Sequence, residues 1–356
     1  MTQALTRWLV VGTGRHADRF GLPGLAGAAA ATVAALCGSD GPRTAELAAR
    51  HGVPRWSTSL EELLADPAVT HVYVCSANAR HERQATLAAA AGKHVLCEKP
   101  LAPDIAGARR MDEACRRHGV LLGTGFHLRH NMAHERVRRL VADGGIGDPL
   151  WASVDYVHAL GPDDTAERLT ASRRVATPAG GAMAGTGAHA IDLARWLLGD
   201  EIVTVSAARA EVADTGRHGP QRVVHVAGTA ARGALVTLTA GRARYPLGGV
   251  TVTGTRGHVA VSGSTGYHGG GIVRLVSDRG EQTAEIAPHD VYRAQFDAFA
   301  AATAAGGPAC AAGADGVAAL EVADAVERSL AGAGPALVGR AVAVPGDSAA
   351  QLEGAS

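Results

Sequence analysis

A short apolar run, Trp8-Leu9-Val10-Val11, breaks directly into Gly12-Thr13-Gly14-Arg15-His16-Ala17, and this junction constrains the chain more than any other segment. It has the G-x-G-x-x-A form. The first glycine makes a tight turn after a buried strand, the second lets the backbone approach a pyrophosphate, and the small Ala17 allows a helix to pack closely on the strand. That helix would turn its free N–H groups and positive end toward the phosphates. Apolar runs at 32–37, 69–75, 94–97 and 120–123 follow, with helical stretches at 43–51, 81–91 and 104–118 between them. Strand and helix alternating in this order predict an α/β fold whose N-terminal part, residues 1–125, is a doubly wound parallel Rossmann sheet. Its ligand crevice is expected beyond the carboxyl ends of the strands.

The second half follows another rule. Strand candidates at 152–157, 203–208, 223–226, 234–239, 250–253, 259–262 and 272–276 are joined by glycine-rich turns, mostly without helices between them. An α+β domain with a large, mostly antiparallel sheet is predicted over 126–345. Helices over 189–198, 292–304 and 316–331 are expected to cover one face of that sheet. The other face calls for a second subunit, giving a homo-oligomer, a dimer or tetramer. After about Pro345 the residues turn small and polar, and 346–356 reads as a frayed tail.

At 356 residues the chain is long enough for two cores, and 34 basic side chains balance 34 acidic ones. With no long run of one sign there is no electrostatic case for nucleic acid or an anionic membrane. No apolar run reaches membrane-spanning length and the first residues carry no apolar signal core. The five cysteines show no paired spacing, and Cys37, Cys75 and Cys97 end apolar strands, as reduced core residues do. A cytoplasmic protein acting on a small molecule is expected.

The segment His94-Val95-Leu96-Cys97-Glu98-Lys99-Pro100-Leu101-Ala102-Pro103 ends a buried strand with a lysine set against a proline. The X-Pro bond makes a cis peptide accessible there, and a lysine held at a strand end can hydrogen-bond a substrate oxygen. Lys99 is the candidate acid/base.

Taken together, Gly12-Thr13-Gly14-Arg15-His16-Ala17, Ser76-Ala77-Asn78-Ala79-Arg80-His81, Gly92 through Pro100, Gly180-Gly181 and His189-Ala190-Ile191-Asp192 resemble the glucose-fructose oxidoreductase/inositol dehydrogenase family, Gfo/Idh/MocA, in order and spacing over about the first 200 residues. The resemblance implies NAD(P)-dependent oxidation or reduction of a sugar, deoxysugar, cyclitol or similar cyclic hydroxy/keto compound. It implies that Lys99 contacts the reacting oxygen and the nicotinamide ribose, and that His189 passes the proton. Hydride transfer to a carbonyl leaves an alkoxide, which needs a cation beside it and an acid to protonate it, so the two residue types suit the task. Asp192, one helical turn on, is positioned to support His189. Many relatives carry an aspartate four residues before the histidine, where this chain has Gly185; Thr186, Tyr156, His158 and Asp163 are the candidate replacements by position. Without that carboxylate, a reductase of a cyclic imine or an enone on the same fold, or a non-catalytic dinucleotide sensor, are the alternatives.

The end of the second strand, Cys37-Gly38-Ser39-Asp40-Gly41-Pro42-Arg43, bears on the cofactor. A site selective for NAD places a carboxylate at the strand tip, whereas Gly38 and Ser39 stand there and Arg43 can reach back to a 2′-phosphate. NADP is favoured, with NAD as the alternative if Asp40 reaches the tip. Expected dinucleotide contacts are Gly12, Thr13, Gly14, Arg15, His16, Ser39, Arg43, Asn78, His81, Glu98 and Lys99. Arg129 joins Tyr156, His158, Thr186 and Asp192 as a substrate-side candidate, with an interdomain salt bridge an equal reading of Arg129 and a first-turn carboxylate favoured by the helix dipole an equal reading of Asp192. His127, His130, His134 and Glu135 have partly metal-like spacing but fall at the family's strand exit, and no metal is expected. The loop 263–271, with Tyr267 and His268, is glycine-rich enough to close over a substrate or a neighbouring subunit.

Overall fold

The structure is a computed structural model that describes residues 5–159, 183–212 and 221–339. Gly180, Gly181, Asp163 and the tail 346–356 lie outside the described residues. Strands β1 (Thr6–Val11), β2 (Ala31–Cys37), β3 (Trp56–Ser57), β4 (His71–Val74), β5 (His94–Cys97) and β6 (Leu122–Thr124) form one parallel sheet in the order β3-β2-β1-β4-β5-β6. Order reverses between β1 and β4, which opens a crevice at the carboxyl ends of those strands. Helices α1 (Leu22–Gly27), α2 (Gly41–Arg50), α3 (Leu60–Leu64), α4 (His81–Ala90) and α5 (Ile105–Arg117) connect them, and a π-helical turn, Ala17–Gly21, precedes α1. Asp40, Ser59 and Asp104 cap α2, α3 and α5 with side-chain acceptors, so the polar residues that close the loops also start the helices.

After α6 (Met132–Ala142) comes β7 (Pro149–Ala159) and, following α7 (Ala188–Leu198), β8 (Ile202–Val212), β9 (Gln221–Ala230), β10 (Leu235–Ala243), β11 (Leu247–Gly254), β12 (Gly257–Ser262), β13 (Gly271–Ser277) and β14 (Gly280–Ile286). With the short β15 (Ala336–Leu337) they form a nine-stranded sheet in the order β14-β13-β12-β11-β7-β10-β9-β8-β15. All neighbours run antiparallel except β7 and β10. Alternation decides the faces: Ala152, Val154 and Tyr156 of β7 are buried with Val236, Leu238 and Ala240 of β10, while the paired Trp151 and Leu235 are exposed.

Two further helices, α8 (Val291–Ala305) and α9 (Gly313–Arg328), correct the expectation that all late helices cover the second sheet. Helix α8 returns to the first: Val291, Tyr292, Phe296 and Phe299 share a core with Trp8, Val10, Leu36, Tyr73 and Leu96. The fit is close, since a Cβ on Gly24 of α1 would lie 2.9 Å from the Tyr292 Cβ. Helix α9 packs partly in each core, Leu320 with the first and Ala319, Val322, Ala323 and Val326 with the second. All five cysteines are free thiols, and only Cys310 is exposed. No helix among the described residues is long and apolar enough to cross a membrane.

Candidate active site

At the sheet's crevice lies a cleft of about 820 Å³. Gly12 forms its floor with φ +130°, and a Cβ there would lie 2.8 Å from the Cys75 carbonyl and the Ser76 nitrogen, so only glycine fits. Gly14, by contrast, faces open space, with nothing within 4 Å of where a Cβ would stand, which leaves its backbone free to approach a ligand. This is the room a dinucleotide pyrophosphate needs. Thr13, Arg15, His16, Ser39 and Arg43 line the same cleft as expected from sequence. Arg80, Arg83 and Gln84 of the opposite wall were not anticipated, although Arg80 and Arg83 carry a helical i,i+3 spacing that points both to one side.

The tip of β2 is tightly built. A Cβ on Gly38 would come within 2.2 Å of the Thr44 Oγ1 and 2.6 Å of the Thr13 Cγ2, so no side chain is admitted there. The Asp40 carboxylate accepts the Arg43 backbone N–H (3.1 Å) and caps α2, while the Arg43 Nε donates to the Thr13 carbonyl (3.0 Å) across the cleft.

Lys99 follows β5, and its peptide to Pro100 is cis. Beside it, Glu98 is buried and accepts hydrogen bonds from the Tyr73 hydroxyl (2.8 Å) and the Lys99 backbone N–H (3.3 Å), with the His16 Nε2 3.0 Å away. Burial alone would raise this carboxyl, but His16, Lys99 and Tyr73 outweigh it and hold it at about 2. A Cβ on Gly125 would lie 2.7 Å from the Glu98 Oε1, so β6 closes over the carboxylate. Glu98 is thus a buried anion that anchors the strand end, and it does not line the cleft. The Lys99 Nζ donates to the Gly185 carbonyl (3.3 Å); burial, aided by Arg242, pushes its pKa down against the pull of Glu98.

Gly185 stands in the π-helical turn Met183–Gly187 that leads into α7, and His189 lies in the first turn of that helix. His189 is buried, and burial reinforced by Lys99, His127, His158 and His16 holds its pKa well below the ordinary histidine value. Its ring meets His127 edge-on at 4.5 Å and Tyr156 at 5.6 Å between centroids. Among the described residues, the His189 Nδ1 and the Tyr156 hydroxyl are both buried without a hydrogen-bond partner. Tyr156 packs on His158 (4.4 Å), His158 stacks on Tyr267 (5.4 Å), and Tyr267 stacks on Phe20 of the first domain (4.6 Å). The loop 263–271 is therefore fastened across the site. Asn131 bonds the Ser264 and Gly270 carbonyls and the Gly270 N–H, and the His134 Nε2 meets the Ser264 hydroxyl. Thr186 sits half-buried between Gly185 and His189.

Several expected roles change. Arg129 and Asp192, read as substrate-side residues, face each other instead: Arg129 Nη2 and Nε donate to the two Asp192 oxygens at 2.5 and 2.9 Å. Arg129 also bonds the Cys310 carbonyl and Asp315, and both partners are almost fully buried, so neither can reach a substrate. Asp192 consequently does not orient His189. His81 is fully buried, its ring nitrogens facing the carbonyl oxygens of Pro100 (3.1 Å) and Ser76 (3.2 Å); it ties two strand ends together and is not a cofactor contact. Asn78 is half-buried and stands outside the cleft lining. His134 is held by the Leu128 carbonyl (2.9 Å), and no group of three His, Cys, Asp or Glu among the described residues is arranged for a metal.

Sequence and fold comparisons agree with this architecture. A model of the Gfo/Idh/MocA oxidoreductase family with an NAD-binding Rossmann fold matches residues 6–126, and the family's C-terminal domain matches 134–260. A 1,5-anhydro-D-fructose reductase of Ensifer adhaerens is 32% identical over 92% of this chain and 97% of its own. The crystal structure of an aldose-aldose oxidoreductase from Caulobacter crescentus, complexed with glycerol, superposes with a TM-score of 0.81 at 26% identity, covering 94% of this chain and all of that one. The fold is shared too by a 3-ketoreductase from Actinomadura kijaniata solved with TDP-benzene and NADP, with a TM-score of 0.73 at 23% identity over 92% of this chain and 98% of that one. The glycine-floored cleft, the Glu98-Lys99-Pro100 strand end and the two domain matches together place this chain in the Gfo/Idh/MocA family of NAD-binding oxidoreductases.

Proposed function

We propose that this enzyme is an NADP-dependent reductase or dehydrogenase of a cyclic hydroxy or keto compound of the sugar, deoxysugar or cyclitol class, with Lys99 and His189 as its acid/base groups. The observation that carries this reading is the Lys99 ammonium reaching across the domains to the Gly185 carbonyl, at the turn that presents His189. The names of the relatives, an anhydrofructose reductase and an aldose-aldose oxidoreductase, support a sugar-like substrate.

A bound dinucleotide supplies or takes the hydride. Lys99 stabilises the charge on the reacting oxygen, and its lowered pKa makes it a readier hydrogen-bond donor than a solvated lysine. The neutral His189 accepts the hydroxyl proton in oxidation; reduction runs the step backwards, from an imidazolium that first takes its proton from solvent. Gly185 offers only a backbone carbonyl where many relatives carry a carboxylate. The buried Tyr156 hydroxyl, next to His189 and without a partner among the described residues, takes over as the group that hydrogen-bonds a substrate hydroxyl or carbonyl, flanked by His158 and Thr186. NADP preference rests on the β2 tip: Gly38 excludes a side chain, Asp40 lines the cleft but has its Oδ1 engaged as the cap of α2, and Arg43 faces the cleft. Charge-assisted bonds from Arg43 contribute about 1.5–3 kcal/mol each, enough for a tenfold preference. The exposed Trp151 and Leu235 pair supports a second copy of the chain meeting the outer sheet face, in the cytoplasm.

Titrating the wild type and Lys99→Met with NADPH and NADH, reading nicotinamide fluorescence, tests the reading. Expected are NADPH binding at least tenfold tighter than NADH in both proteins, and turnover on a cyclic ketone lost by about 10²–10⁴-fold in the variant. Equal or NADH-favoured binding would make Asp40 the ribose ligand; a fully active Lys99→Met enzyme would remove Lys99 from the chemistry.

A further inference from the structure

A second cavity, of about 560 Å³, lies in the C-terminal domain where two helices end. Helix α6 runs out into Gly144 and Gly147, helix α7 ends at Gly199, and the turns carrying Arg232 and Arg256 complete the walls. Two of its three arginines have local work. The Arg232 Nη2 donates to the Leu198 and Gly199 carbonyls at 2.9 and 3.0 Å, and the Arg256 Nη2 donates to the Gly144 carbonyl at 2.6 Å. These bonds cap helix ends, as basic side chains commonly do.

Arg138 differs. It is half-buried and, among the described residues, makes no hydrogen bond or ion pair. Its guanidinium lies against Gly199, where a Cβ would stand 2.8 Å from Nη1 and 3.0 Å from Nη2. Burial, with repulsion from Arg129 and Arg232, pushes its pKa down. The one carboxylate in the lining, Asp148, is exposed and pairs with none of the three arginines. The Arg138 guanidinium is open to the cavity, so its N–H donors remain available to an anion that enters.

We propose that this cavity is a binding site for a phosphate group, with Arg138 as the bidentate anchor and the remaining N–H groups of Arg232 and Arg256 completing the cradle. The planar fork of arginine matches the spacing of two phosphate oxygens, and with Arg232 paired to Asp200 at 3.5 Å, Arg138 and Arg256 still outnumber the exposed Asp148. The cavity is larger than a phosphate ion, so a small phosphate monoester fits with its organic part along Val141 and Pro149. None of these residues belongs to the nucleotide cleft or to the His189 cluster, so this site does not depend on the proposed reaction.

Calorimetric titration of the full chain with inorganic phosphate and with glycerol phosphate, at saturating NADPH to keep phosphate out of the nucleotide cleft, tests it. Saturable binding is expected in the wild type, weakened at least tenfold in Arg138→Gln and in Arg256→Gln. Phosphate should raise the unfolding midpoint of the wild type and leave that of Arg138→Gln unchanged. In phosphate-free buffer Arg138→Gln should unfold no earlier than the wild type, an outcome that a purely structural arginine would not give. Tighter binding of the ester identifies a phosphorylated metabolite as the source; equal binding identifies free phosphate. No saturable binding, or binding unaltered in the folded variants, overturns the proposal. If Arg138→Gln does not fold, Arg256→Gln decides it alone.

Discussion

The nucleotide cleft and the cluster around His189 are built on opposite plans. In the cleft, shape does the recognising: Gly12 and Gly38 sit where a Cβ would collide, Gly14 faces open space, and the charged groups are exposed side chains on the loops and helices that follow the strands. Around His189 the polar atoms are buried, and two of them, the His189 Nδ1 and the Tyr156 hydroxyl, lack partners among the described residues. A backbone-shaped cleft tolerates side-chain change and accepts one common ligand. A pocket of unpaired buried polar atoms discriminates, because a substrate that fails to pair them leaves their desolvation uncompensated. The difference teaches that cofactor binding and substrate choice can be broken separately in this molecule.

The largest expected effect comes from His189→Ala. Turnover should fall by about 10²–10⁴-fold while dinucleotide affinity stays within about twofold. Parallel losses in both would show that the two regions are one unit. Acid comes next, because burial holds imidazoles neutral in both regions: burial, aided by His94, brings His71 of the first domain to about 3, and burial pushes His81 and His94 down too. Burial, aided by Lys99, brings His127 to about 3; burial, aided by Arg129, brings His130 to about 4; burial brings His134 to about 4; and His189 is pushed well down too. A folded pKa below the unfolded value of about 6.5 gives stability that is present above that pH and lost as pH falls toward the folded value. His71, His127, His130 and His134 each forfeit about 1 kcal/mol between pH 6.5 and 5.5, so together they should cost about 4 kcal/mol, with His189 adding in the same direction, read as a drop in the urea midpoint. A flat midpoint over that interval would mean that these rings already charge in the folded protein.

What the sequence disclosed follows the same division. The cleft is local: the glycines of Gly12-Thr13-Gly14, the β2 tip and Arg43 lie within short segments whose spacing is dictated by a strand-turn-helix, so they were legible. Lys99 and His189, the proposed acid/base groups, were singled out through the motifs around them, and the structure brings Lys99 to the turn that leads into His189. The supporting network was not. Arg129 and Asp192 stand 63 residues apart, and nothing in either neighbourhood says that they form a two-point ion pair with Asp315 nearby. Helix α8 was visible as a helix, but an amphipathic pattern tells which face is buried and not against which sheet, and it was assigned to the wrong one. Strand β14, Gly-Glu-Gln-Thr-Ala-Glu-Ile, escaped notice because an edge strand with a single neighbour needs little apolar character.

Tyr156→Phe tests most directly whether the unpaired polar atoms around His189 await a substrate. The substitution deletes one buried oxygen and keeps the ring that packs on His158 and His189. Removing an unsatisfied buried hydroxyl should leave stability unchanged or raise it by about 1 kcal/mol, because its desolvation cost of about 1–3 kcal/mol disappears. Losing the bond to substrate should lower kcat/KM about tenfold. Paired measurement of the urea midpoint and kcat/KM should therefore show the two moving in opposite directions. Lower stability with unchanged kcat/KM would contradict the account and make Tyr156 an ordinary core residue.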